Sequence, residues 1–70
     1  MKKYYMAEFV TDMYFQDDEA EMFLAKNKQE VENEVRTVLG DHLLALYVRK
    51  ATWAERRYYR MNKIQPCIVH

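Results

Sequence analysis

The sequence predicts a small α+β domain of ββαβ order, in which a three-stranded sheet packs on one main helix and a short basic C-terminal helix follows. Three observations point there. Aromatic and β-branched residues crowd Lys3 to Phe15 with neither helix cap nor breaker. A valine stripe at helical spacing follows an asparagine that can cap it, and an alternating run from Leu43 to Lys50 follows the only glycine.

Lys3 to Phe15 reads as the first strand, with a bend near Thr11 and Asp12. Gln16 to Glu19 is a polar turn. Ala20 to Lys26 then sets Ala20, Met22 and Leu24 against Glu21, Phe23 and Ala25, as the return arm of a hairpin would. A lone hairpin is marginal in water, so a third element must cover it. Asn27 with Glu30 three residues later forms an Asn version of the capping box, and Val31, Val35, Val38 and Leu39 share one face of the helix it opens. Valine loses rotamer freedom in a helix, so packing and not propensity must hold this one. Gly40 ends it where left-handed geometry is cheapest.

Leu43 to Lys50 is the third strand, with Leu44, Leu46 and Val48 on one face and Tyr47 and Arg49 on the other. Thr52 to Glu55 is a second capping signature. It opens a short helix with Ala54, Tyr58 and Met61 on one side and Arg56, Arg60 and Lys63 on the opposite side, Tyr59 beside them. A fourth strand through Arg57 to Met61 is the competing reading, and the cap favours helix. Residues 1–63 thus form one α+β domain, and residues 64–70, with Pro66, an extended C-terminal tail.

Seventy residues make one domain with a thin core, because a chain this short buries only about 60% of the surface it exposes unfolded. Cys67 is the only cysteine, so no internal disulfide forms and a reducing, cytoplasmic home is expected. No apolar run approaches the roughly 20 residues that span a bilayer, and Glu8 breaks any signal-peptide core, so no membrane partner is expected. Without serine, a glycine-rich phosphate loop or a group to orient Cys67 and His70, the composition argues against an enzyme. Cys67 and His70 offer too few ligands for a metal, and no cofactor is expected.

Charge is sorted along the chain. Glu8 to Glu34 holds nine acidic residues against two basic, and Arg49 to Lys63 holds six basic against one acidic, within a formal net charge of zero. A domain built so can present opposite poles at ranges set by a screening length of about 8 Å. The expected function is a non-enzymatic protein-binding module that docks on a basic surface of a partner through Asp17, Asp18, Glu19, Glu21, Glu30 and Glu34. Glu30 and Glu34 repel at i, i+4 with no structural return evident in the sequence. Ten aromatic rings are more than this core can bury, so the sheet face left bare by the helix, with Tyr5 or Tyr4, Phe23 and Tyr47, is expected to serve a partner or a homodimer.

The alternative is a nucleic-acid accessory factor working through Arg56, Arg57, Tyr59, Arg60 and Lys63, since guanidinium groups grip phosphates and tyrosines stack on bases. The sequence pI of 6.7 lies below that of a dedicated binder. In size and style the chain resembles the small accessory proteins of phages and mobile elements, including inhibitors of host defence of the anti-CRISPR and anti-restriction kind. The resemblance is one of type and carries no residue assignments.

Overall fold

The computed structural model describes residues 1–12 and 19–70. In chain order they form β1 (Lys3–Thr11), β2 (Glu19–Ala25), α1 (Lys28–Leu39), a 3-10 turn at Gly40–His42, β3 (Leu43–Lys50), α2 (Trp53–Met61) and β4 (Cys67–Ile68). The class is α+β, but the sheet has four strands in the order β3-β1-β2-β4, one more than the sequence predicts. The extra strand lies in the segment read as an extended tail. Two residues after a proline carry no alternation to reveal them, and what makes them a strand is the open edge of β2, to which they add in parallel. The polar turn with Asp17 and Asp18 lies outside the described residues.

Central β1 runs antiparallel to both β2 and β3, pairing Tyr5 with Phe23 and Ala7 with Val48. Strands β2 and β3 therefore run parallel to each other, and α1 makes the crossover between them. The period of two sorts the side chains: Tyr5, Ala7, Phe23, Ala25 and Val48 form a buried core with Val31 and Val35 of α1. On the other face Met6 pairs with Met22, and both are buried. A register shift between Val10 and Thr11 skips Leu44, since Val10 pairs with Ala45 and Thr11 with Leu43. Leu44 is thus 62% exposed, although the alternation groups it with Leu46 and Val48.

At the start of α1 the Glu30 N–H donates to Asn27 Oδ1 at 3.0 Å, and Glu30 Oε1 accepts from the Lys26 N–H at 2.8 Å. The carboxylate reaches one residue further back than in the usual box, but the reciprocal logic is the same. Gly40 closes the helix at φ 55°, its N–H donating to the Arg36 carbonyl. Segment 53–61 is helix, fixed by a complete capping box: Glu55 N–H to Thr52 Oγ1 at 3.1 Å, and Thr52 N–H to Glu55 Oε1 at 2.8 Å. It ends in a Schellman motif, with Ile64 N–H on the Tyr59 carbonyl and Lys63 N–H on the Arg60 carbonyl.

The helix α2 turns its charged side to the sheet and its apolar side to solvent. Glu55 and Tyr59 are half-buried, while Trp53, Tyr58 and Met61 are exposed. Polar anchors set this orientation. Arg49 on β3 grips Glu55, the Tyr59 hydroxyl accepts from the Met22 N–H at 3.3 Å, and the Arg56 guanidinium lies 4.7 Å from the Tyr4 ring centroid.

Candidate functional site

Opposite faces of the sheet carry two open recesses of opposite character. The basic one lies between α2 and the face of Tyr4 and Met22, a cleft of about 440 Å3 lined by Tyr4, Arg56, Tyr59, Arg60 and Lys63. A second recess of about 280 Å3 adjoins it through Tyr4 and Arg56 and adds Lys2, Lys3 and Lys50. Among the described residues no carboxylate lines either one. Among the described residues Arg56, Arg60 and Lys63 have no carboxylate within 4.0 Å; the arginine that is paired is Arg49, which binds both Glu8 and Glu55. The concentration of basic residues in the sequence therefore becomes a surface whose field none of the described carboxylates neutralises by direct pairing.

On the α1 face, a groove of about 290 Å3 runs between the helix and the β2–β4 edge. Phe9, Phe23 and Val35 line it, Val38 stands 70% exposed at its mouth, and Glu21 and Glu34 bring their carboxylates to it. The Cys67 thiol also lies here and donates to Glu21 Oε1 at 2.9 Å. Burial, then that hydrogen bond, then the negative charges of Glu21 and Glu34 push the thiol up to about 11. It stays protonated near neutrality, which is the reverse of what a nucleophilic cysteine needs.

The residues read from the sequence as partner-binding divide three ways. Glu21, Phe23 and Glu34 meet in the groove, and Glu19 and Tyr47 share a neighbouring depression lined also by Phe9. Tyr5 and Phe23, expected on the bare sheet face, are only 4% and 5% exposed and lie under α1; Tyr47 is 60% exposed on the opposite face. The reversal has a simple cause, since adjacent Tyr4 and Tyr5 fit either parity of β1 and the sequence does not fix which side the helix covers. The repulsion between Glu30 and Glu34, for which the sequence showed no return, is offset at Glu30 by its cap bond to the Lys26 amide. Asp17 and Asp18 lie outside the described residues.

Of the basic set, Arg56, Tyr59, Arg60 and Lys63 converge on one cleft, and Arg57 does not. Its guanidinium sits 5.3 Å from the Trp53 ring centroid, and its Nε–H donates to Met61 Sδ at 3.4 Å on the outer side of α2. Sequence reasoning did not join Tyr4, Lys2, Lys3 and Lys50 to this set; the sheet brings them alongside Arg56 although more than fifty residues separate Lys2, Lys3 and Tyr4 from it. His42 is occupied with Asp12, Nδ1 to Oδ1 at 2.8 Å. Among the described residues no group of three or more His, Cys, Asp or Glu side chains could hold a metal ion, and no helix is long and apolar enough to cross a membrane.

No protein-family model, curated protein or solved structure matches the chain.

Proposed function

We propose that the chain is a small non-enzymatic protein-binding module that docks on a basic surface of a partner protein, in the style of phage and mobile-element inhibitors of host defence. The observation that carries this reading is the groove between α1 and β2, where an apolar floor of Phe9, Phe23 and Val35 is flanked by Glu21 and Glu34. A partner's lysine or arginine can lay its aliphatic stem on that floor and deliver its charge to the carboxylates. Glu19, paired with Phe9 across β1 and β2, carries the acidic flank on along the same face. A protonated Cys67 thiol supports binding over catalysis.

Self-association belongs to the same reading. Strand β3 is an outer strand of the sheet and eight residues long, with Leu44 and Tyr47 exposed along it. An edge of that length is a template for a second strand. Sedimentation velocity tests it, and a monomer throughout the micromolar range would remove it.

Docking is tested by affinity capture from a bacterial host lysate with the Glu21→Lys/Glu34→Lys variant as control, each captured protein being identified and its binding repeated with purified components. A basic partner that binds wild type at low salt and not the variant supports the reading. A partner that binds both equally overturns the groove as the docking site. Glu30 is left intact because its carboxylate serves the helix cap.

A further inference from the structure

The geometry points to a second binding site on the opposite face: the cleft between α2 and the sheet takes single-stranded nucleic acid, its phosphates on Arg56, Arg60 and Lys63 and a base against Tyr59. This is independent of the α1 groove, so either reading can fail alone. Four observations carry it.

The first is electrostatic. Six cations line the joined recesses, namely Lys2, Lys3, Lys50, Arg56, Arg60 and Lys63, and among the described residues no carboxylate does. Like charges gathered without counter-charges repel one another, and an anion relieves that repulsion. Arg56 is already placed by its stack on Tyr4, so little rotamer freedom is lost when it meets a phosphate.

The second is conformational. Lys63 holds φ 56°, the one non-glycine residue at positive φ among those described, at the position of the Schellman motif that glycine usually fills. A side chain there costs stability, and this side chain lines the cleft. The strain has no structural return in the helix stop, which glycine would make better.

The third and fourth concern shape. Tyr59 lines the cleft, and the Tyr58 ring meets it edge-on with centroids 6.3 Å apart, so aromatic surface lies beside the cations. Such a pairing of charge with ring faces is how unpaired strands are held. A duplex is disfavoured because the outer side of α2, the side a groove would meet, presents Trp53, Tyr58 and Met61 with Arg57 held between Trp53 and Met61, while Arg56, Arg60 and Lys63 line the cleft on the other side. The two recesses continue one another past Arg56, a track suited to a flexible strand.

The test is an anisotropy titration of the full chain against a labelled oligothymidylate of about 12 nucleotides. Saturable binding at about 50 mM salt is expected, and the logarithm of affinity should fall against log salt with a slope of about −2, as for three phosphate contacts on a single strand. The Arg60→Gln/Lys63→Gly variant should lower the slope to about −0.7. Lys63→Gly alone should weaken binding while raising the melting temperature by a few degrees, opposite signs that a folding defect cannot produce. An abasic strand of equal length should bind roughly fivefold or more weakly, for want of the stacked base. Absent binding, a slope unchanged in the double variant, or an abasic strand or polyglutamate bound as tightly as oligothymidylate would each overturn the assignment, the last in favour of an acidic protein.

Discussion

Arg49 holds Glu55 through two parallel hydrogen bonds, Nη1 to Oε1 at 2.8 Å and Nη2 to Oε2 at 2.7 Å, while its Nε–H donates to Glu8 at 2.9 Å. Glu55 also accepts the Thr52 N–H, so one carboxylate closes the cap of α2 and fastens that helix to β3. No residue of α2 is buried, and its place over the sheet depends on such polar anchors instead of on a hydrophobic seam. The cleft beneath it is only as well formed as these contacts.

Glu55→Ala should therefore cost about 1–2 kcal/mol, from loss of half the capping box and of the bidentate pair, and should disorder the cleft more than the core. Urea denaturation gives the first quantity. Amide exchange gives the second, with faster exchange across α2 and little change in β1. A variant as stable as wild type would mean that α2 is held by something else.

The same pair sets an acid limit. The hydrogen bonds from Arg49, aided by those from Thr52 and opposed by burial, bring the Glu55 carboxyl from its ordinary value of 4.5 down to about 2. A pKa lowered by folding adds stability that is complete above the unfolded value and lost as pH falls through the folded one. The difference in stability between wild type and Glu55→Gln should accordingly be constant above about pH 5 and shrink toward pH 2. A difference that does not vary with pH would show that the charge on Glu55 contributes nothing.

Helix α1 depends on its two ends. Asn27→Ala removes the acceptor for the Glu30 N–H and should cost about 1 kcal/mol. At Gly40 a Cβ would meet nothing within 4 Å, so the cost of Gly40→Ala, about 1–3 kcal/mol, comes from the backbone alone. Thermal unfolding of the two single variants and the double checks both values. The sites lie at opposite ends of a 12-residue helix and should add.

Local signals were legible in the sequence, and pairing between distant segments was not. Both caps, the Gly40 stop and the stripe of Val31, Val35 and Leu39 could be read because each is complete within a few residues, although Val38, read on the same stripe, stands 70% exposed. The strand Cys67–Ile68 could not, because its cause is the free edge of β2 more than forty residues earlier. Nor could the choice between Tyr4 and Tyr5 be made. In Tyr-Tyr-Met-Ala each parity has an apolar set, and only the seating of α1 selects the one with Tyr5 and Ala7. The basic cluster was visible as composition, but its side was not: Arg57 and Arg56 are neighbours in sequence, yet one stacks on Trp53 outside and the other on Tyr4 inside.

Cys67 gives a direct readout of the groove on the α1 side. With its thiol pushed up to about 11 by burial and by the bond to Glu21, roughly one molecule in a thousand carries a thiolate at pH 8, against about a quarter for an ordinary cysteine. Disulfide reagents should react correspondingly slowly at that pH and speed up steeply toward pH 11. Glu21→Ala removes both the acceptor and its negative charge, leaving burial as the main cause of the shift, so labelling should accelerate while the melting temperature changes little. Unfolding in urea should restore the ordinary rate in both proteins. Wild-type labelling at the ordinary rate without denaturant would mean that the β4 edge does not shelter the thiol, and with it would go the floor of the proposed docking groove.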